Sequence, residues 1–375
     1  MERKRILLSS PHMSDEGFEK DFIDMAFKAN WIAALGENVT EFESEVATLV
    51  NAGSSVAFNT GTSALHIALK AAGIGKGDKV LCQSFTFAAS ANPIVYLGAT
   101  PVFVDSDLDS WNLSPEALKR AIKKYPDVKA VIVVHLYGLA AKLDEICEIC
   151  RENNIILIED AAESLGTLYK GRHTGSFGQF GVLSFNGNKI ITTSSGGMLL
   201  INTENPTAVS DKVKYWITQS REKAIHYQHS EIGYNFRMSN VLAGIGRGQL
   251  KVLEQRKAKR KYIYNFYKNA FANIPEISLM PFLDDTDSNC WLSAIQLSSR
   301  VKPLDIINAL ETENIESRPV WKPMHLQPLY ADCDYIDNGG VSEKLFRNGV
   351  CLPSDTKMTD EDLTRVTNIV MACFK

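Results

Sequence analysis

The sequence predicts an α/β protein: a mainly parallel sheet flanked by helices, with a smaller α+β domain at the C-terminal end. Three observations lead there. Between about residues 55 and 160, short apolar runs alternate with helical stretches, the pattern of strands joined by right-handed crossovers. A long helical stretch, roughly 240–271, separates this region from a shorter mixed pattern. The chain has 375 residues, more than one compact core usually serves. We therefore expect a large domain over 1–245, N-terminal segment included, and a second unit over 246–375, made of the long helix and the small domain.

Taken in order, 55–58 reads as a strand and 62–72 as a helix. The pairs 79–83 with 88–97, and 101–104 with 115–124, repeat that strand-then-helix unit. A strand at 128–134, a helix at 142–153 and a strand at 155–158 complete the run. Short strands and glycine-rich turns continue from 171 to 201. The stretch 240–271 is dense in Leu, Ile, Val and basic residues and reads as one helix leading out of the large domain. Beyond 273, a strand at 291–297, a helix at 303–313, a strand at 316–320 and a closing helix at 360–374 form the small unit. Buried on both faces, such a sheet shows continuous rather than alternating apolar strands.

Composition narrows the function. Hydrophobic residues make up 45% and charged residues 22%, with 40 basic and 44 acidic residues well mixed, for a net charge of −4. Nothing here attracts a polyanion, so no nucleic-acid partner is expected. The first ten residues carry three charges and a short apolar run, Ile6 to Leu8, too short for a signal-peptide core. No apolar run reaches the length of a membrane helix, so a cytoplasmic protein without a membrane partner is expected. Of seven cysteines, Cys147 and Cys150 form one C-x-x-C. It lies inside a helical pattern and lacks a second pair, so we read two small apolar residues rather than a redox or metal site. Gly73-Ile-Gly-Lys-Gly77 follows a helix and precedes a strand, the reverse of what a dinucleotide fingerprint requires, and reads as a helix-ending turn.

Three segments carry candidate chemistry. Ile158-Glu-Asp-Ala-Ala-Glu163 puts carboxylates at the end of an apolar strand, the edge where open parallel sheets bind ligands; alone, Asp160 reads as a turn or cap residue. Ser184-Phe-Asn-Gly-Asn-Lys189 embeds a lysine among small and apolar neighbours, and partial burial suits a lysine to Schiff-base chemistry. Asn59-Thr-Gly-Thr-Ser-Ala-Leu65 follows a strand and opens a helix, a ready anion site built from backbone N–H groups. The set says more than its members. Pyridoxal phosphate needs a lysine for its aldehyde, a carboxylate near its ring nitrogen, a phosphate cup and a ring to pack on. Lys189, Asp160, Gly61–Ser63 with Ser184, and the aromatics of Ser84-Phe-Thr-Phe87 supply them.

These segments resemble the DegT-type sugar aminotransferases, a branch of the aspartate-aminotransferase (fold type I) superfamily, over essentially the whole chain. Ser10-Pro-His-Met13, His135-Leu-Tyr-Gly138, Gly233-Tyr-Asn-Phe-Arg-Met-Ser-Asn240 and Arg318-Pro-Val-Trp-Lys-Pro-Met-His325 match as well. Many members have histidine where this chain has Asn186. The form found here is most similar to enzymes of the bacillosamine pathway, which aminate UDP-linked 4-keto-6-deoxy-N-acetylglucosamine with glutamate as donor.

The resemblance implies that Lys189 bears the cofactor aldehyde and acts as acid and base, and that Asp160 keeps the ring nitrogen protonated. Glu163 would lie by the phenolic oxygen and Phe87 on the ring. Gly61, Thr62, Ser63, Ser184 and Asn186 would contact the cofactor. Asn235 stands where the family uses an asparagine from the partner subunit, which implies a homodimer with a shared active site. His12, Trp31, Arg237, Trp321, Lys322 and His325 occupy motifs that would meet the nucleotide sugar. No metal is expected. The family usually has glycine where Ser195 stands; if that position needs φ > 0, serine is strained there. Competing readings are an aminotransferase for a TDP- or GDP-linked keto sugar, a related dehydratase (whose members lack the lysine), a pyridoxal phosphate-binding regulator without turnover, and a nucleotide-sugar-binding protein without cofactor.

Overall fold

A computed structural model describes residues 4–298 and 300–375. The start of the predicted large domain, residues 1–3, lies outside the described residues. Eight strands form the main sheet in the order Ser54–Phe58, Gly197–Ile201, Phe180–Ser184, Ile156–Asp160, Ala130–Val134, Lys79–Gln83, Thr100–Val104 and Tyr335–Ile336. Neighbours are parallel except that Gly197–Ile201 runs antiparallel to both of its partners. The predicted α/β class stands.

Period-two alternation sends the strands' side chains to opposite faces. Val80, Cys82, Ile132 and Ile158 pack with the helix Gly61–Ala71 on one face. Leu81, Val131, Val133 and Leu157 pack with the helices Pro115–Lys124 and Leu143–Glu152 on the other. Cys147 and Cys150 lie on the last of these helices, where burial pushes both thiols up to about 12. Gly73, at φ 74°, follows the helix Gly61–Ala71, its N–H donating to Lys70 O and that of Ile74 to Leu69 O, a helix-ending turn as read from the sequence.

The stretch 240–271 is not one helix. It is Asn240–Leu250 followed by Leu253–Ala270. The first is pressed against the helices Phe18–Lys28 and Glu37–Val50, so closely that a Cβ on Gly246 would meet the Phe42 ring. Its last turn tightens, Lys251 N–H donating to Gly248 O and Val252 N–H to Gln249 O, and the chain sets off anew. Packing overrode a continuous helical pattern. The predicted helix at 88–97 likewise splits into a short 3₁₀ turn, Ala88–Ser90, and Asn92–Tyr96.

Leu253–Ala270 leads into a second core. There Ile263 and Tyr267 meet Ile295, Leu310, Val350 and Val366 over a four-stranded antiparallel sheet. Ile6 joins this core, while Tyr335–Ile336 returns to the edge of the main sheet. Among the described residues no helix is long and apolar enough to cross a membrane.

Candidate active site

A cleft of about 260 Å³ opens where the strands Ala130–Val134, Ile156–Asp160 and Phe180–Ser184 end. Alternation along Ile156–Asp160 sends its two terminal carboxylates opposite ways. Asp160 lines the cleft and is 5% exposed. Its Oδ2 accepts from the Ser90 hydroxyl at 2.6 Å and its Oδ1 from the Ala162 N–H at 3.1 Å. Ser90 has one hydroxyl proton and gives it to Asp160. In the 2.7 Å contact between Thr86 and Ser90, Thr86 is therefore the donor.

Glu159 points away and is fully buried. Its carboxylate accepts from the N–H groups of Gly175, Phe177 and Gly178 and from His135 Nε2 at 2.9 Å. The Ala141 N–H donates to His135 Nδ1, so the imidazole proton sits on Nε2. Burial pushes the Glu159 carboxyl up, but His135 and the backbone donors prevail and hold it below the usual carboxylate range.

Lys189 lies in the loop between the strands Phe180–Ser184 and Gly197–Ile201. Its Nζ is 3.6 Å from Glu163 Oε1 and 4.1 Å from the centroid of the Trp291 ring. Glu163 is buried, and its Oε2 accepts from the Tyr137 N–H at 2.7 Å. Tyr137 sits at φ 55°, a conformation rare for a bulky side chain. Burial, helped by the Asp160 charge, raises the Glu163 pKa above its ordinary value despite Lys189 and the Tyr137 N–H.

The opposite end of the cleft is the start of the helix Gly61–Ala71, lined by Thr60, Gly61 and Thr62. Thr60 caps it, its hydroxyl accepting from the Ser63 N–H at 3.1 Å. As at any helix start, the first amides have no intrahelical acceptor. A Cβ on Gly197 would overlap the backbone of Thr60 and Gly61, so glycine lets the antiparallel strand reach this helix. Ser184 and Ser195 also line the cleft. The strain expected at Ser195 is absent: the positive φ, 70°, falls on Ser194, and the Ser195 hydroxyl donates to Asn59 O at 2.7 Å.

Aromatic rings close one side. Phe87 is 53% exposed, its ring centroid 5.2 Å from that of Trp321. Trp321 stacks on Tyr137, and Tyr137 on Trp291. The cleft thus brings together Asp160, Glu163, Lys189, Gly61, Thr62, Phe87, Ser184, Asn186 and Trp321.

The other sequence-derived candidates lie elsewhere in this chain. Asn235 is exposed and outside the cleft. Arg237 lines a separate cavity with Glu43 and Lys214, and Trp31 another with Met25 and Asn240. His12 bonds Thr356 Oγ1 at 2.7 Å and faces Arg256. His325 stacks on Tyr335 and bonds Ser84 at 2.6 Å, tying its turn to the sheet. Lys322 adjoins Trp321 without lining the cleft wall, and Ser63 turns its hydroxyl to Thr60. Sequence reasoning missed Ser90, Thr86, Tyr137 and Trp291: Thr86 and Tyr137 lie in the segments Ser84–Phe87 and His135–Gly138 but were given no role, and no pattern marks Ser90 or Trp291.

An amine facing a dry carboxylate across a narrow cleft, with unsatisfied amides at one end, fits pyridoxal phosphate. The amides suit its phosphate, Asp160 its ring nitrogen and Lys189 its aldehyde. The chain is a pyridoxal phosphate-dependent sugar aminotransferase. It belongs to the DegT/DnrJ/EryC1/StrS aminotransferase family, whose model matches residues 14–371. A Bacillus subtilis protein named "Putative pyridoxal phosphate-dependent aminotransferase EpsN" is 49% identical over 99% of this chain and 96% of that protein. A GDP-perosamine synthase of Caulobacter vibrioides is 36% identical over 96% of each. Among solved structures, a family aminotransferase from Brucella abortus superposes with a TM-score of 0.87 at 28% identity, covering 95% of each chain. The pyridoxal phosphate form of the sugar aminotransferase Spr1654 from Streptococcus pneumoniae gives 0.91 at 24% identity, covering 99% of this chain and 98% of that one, a likeness of fold.

Proposed function

We propose that this enzyme moves the amino group of L-glutamate to the C4 keto group of a UDP-linked 4-keto-6-deoxy-N-acetylhexosamine, giving a 4-amino-4,6-dideoxy sugar nucleotide and 2-oxoglutarate. The observation that carries the acceptor is the lysine loop Ser184-Phe-Asn-Gly-Asn-Lys189. The residue in which it departs from many relatives, Asn186, lines the cleft. A GDP-linked keto sugar is the second reading, supported by the likeness to GDP-perosamine synthase.

When bound, the cofactor stabilises the electron pair left on a carbon that loses its proton. Lys189 Nζ would take the proton from the α-carbon of glutamate and hold it for return, and with the keto sugar it would serve as acid and base in the opposite sense. Asp160, fixed by Ser90 and the Ala162 N–H, would hold positive charge at the ring nitrogen. Glu163, beside Lys189, would face the phenolic oxygen. Phe87 and Trp321 keep water from that face. The amides of Gly61 and Thr62, with Ser184, would hold the phosphate.

The exposure of Asn235, outside its own cleft, supports a homodimer in which each chain completes the other's phosphate cup. The two cores support a division near residue 245, with Ile6 and Tyr335–Ile336 crossing it.

The test is an assay of the purified protein with pyridoxal phosphate and glutamate. It is offered in turn the UDP-linked 4-keto-6-deoxy-N-acetylhexosamine and a GDP-linked 4-keto-6-deoxyhexose, with mass spectrometry of the sugar. Amine formation on the UDP sugar alone supports the proposal. Amine formation on the GDP sugar alone selects the second reading.

A further inference from the structure

We propose that Trp291 is a positioning residue for Lys189, acting through both its indole N–H and the face of its ring. The inference rests on the assignment of Lys189 as the cofactor-bearing amine.

Trp291 is 1% exposed, and a buried indole N–H seeks an acceptor. The acceptor it takes is the carbonyl of Asn188, at 2.7 Å, the peptide immediately before Lys189. The Ser9 hydroxyl donates to that same carbonyl at 2.8 Å. The loop here has no ladder to hold it, and the N–H of Lys189 reaches only back to Asn186 O. Two donors from distant parts of the chain thus fix the backbone from which the lysine springs.

The ring does a second thing. Its face lies 4.1 Å from Lys189 Nζ, within cation–π reach. Trp291 also stacks on Tyr137, whose N–H holds Glu163, whose Oε1 lies 3.6 Å from the same Nζ. Lysine, carboxylate and two rings form a closed circuit of contacts. A lysine side chain has several rotatable bonds and loses much freedom when held, and this circuit holds it.

Trp291 is itself locked. Asn289 Oδ1 accepts from its backbone N–H at 2.9 Å. Arg260, fully buried on the helix Leu253–Ala270, donates to Trp291 O at 2.8 Å, to Ser9 Oγ at 2.7 Å and to Ser354 O. One guanidinium therefore braces both donors that grip Asn188. Through it, the helix that enters the second core sets the position of the lysine loop.

The two roles separate by substitution. Trp291→Phe keeps a ring face and removes the N–H; Trp291→Leu removes both. In the apoproteins, amide hydrogen exchange over residues 186–191 reports the backbone grip. The rate at which Lys189 captures added pyridoxal phosphate, read by borohydride reduction and peptide mass spectrometry, reports the aim of the amine. We expect exchange to rise severalfold in both variants. Capture should slow about threefold in the Phe variant and about a further tenfold in the Leu variant, in keeping with a lost cation–π contact. Wild-type exchange and capture in Trp291→Phe, or equal capture in the two variants, overturns the proposal. Should Trp291→Leu fail to fold, Ser9→Ala, which removes the other donor to Asn188, must still raise exchange over 186–191; an unchanged value sinks the idea. Lys189→Ala is the control. If it is labelled as fast as wild type, the assignment of Lys189 fails, whatever Trp291 does.

Discussion

The Ser90 hydroxyl donates to Asp160 Oδ2 at 2.6 Å, and both residues are buried at the floor of the cleft. With Thr86 donating to Ser90 in turn, the carboxylate is held by an ordered relay. A hydrogen bond to a charged group contributes about 1.5–3 kcal/mol. Ser90→Ala should therefore lower kcat by roughly tenfold and weaken pyridoxal phosphate binding, with little loss of fold. Steady-state kinetics with both substrates saturating, alongside a cofactor titration, checks this; an unchanged kcat would show that the relay does not matter to Asp160.

Glu163 is buried with its pKa above the ordinary carboxylate value. A raised folded-state pKa means the folded protein binds the proton more tightly, so stability falls as pH rises through that pKa. In its ionised form the group is a liability to the fold, kept at the candidate site. Glu163→Gln should raise the melting temperature of the apoprotein by about 1–3 °C while lowering kcat. Calorimetry at neutral pH is the check, and a lower melting temperature would contradict the argument.

Gly197→Ala puts a methyl group into the backbone of Thr60 and Gly61. Backbone cannot step aside as a side chain can, and overpacking costs about 1–3 kcal/mol. The helix start should tilt away from the cleft, and cofactor affinity should fall at least about tenfold. An absorbance titration with pyridoxal phosphate measures it.

Acid should unfold the apoprotein in two stages. Burial depresses His66 and His173 to about 4, so both stay neutral when folded. Their contribution is fully present above the unfolded value of about 6.5 and is lost as pH falls toward about 4, on the order of 2–3 kcal/mol each. Glu159, held below its ordinary value, adds a further loss below about pH 4.3. His66 packs against Tyr234 and Phe236, and neither of its ring nitrogens has a partner among the described residues. His66→Phe should therefore flatten the first stage. Denaturant unfolding at about pH 7.5 and about pH 5 compares the two proteins; equal slopes would exclude His66 as a contributor.

Much of the fold was legible because local pattern and final packing agreed. The strand at 79–83 appears at the predicted residues, as Lys79–Gln83, and the strand ending in Asp160 was read two residues short. The predicted strand at 316–320 shrinks to Arg318–Pro319, since a proline can pair only at an edge or an end. The helices Phe18–Lys28, Glu37–Val50, Pro206–Ile217 and Val341–Asn348 were not read. The sheet-edge strand Tyr335–Ile336 has two residues, too few for any periodicity to show.

By itself the sequence determined the α/β order, the strand-end carboxylate Asp160, the loop lysine Lys189 and, within one residue, the helix start at Gly61. These depend on local chemistry: an apolar run, a turn, a cap. Tertiary structure decided which residues meet. It placed Trp291 and Ser9 on the carbonyl of Asn188, about a hundred and nearly two hundred residues away along the chain. It turned Glu159 from the cleft and Asp160 into it, and it moved the strain from Ser195 to Ser194. Such pairings arise when distant segments share one core, and the entropy of closing long loops leaves no trace in neighbouring residues.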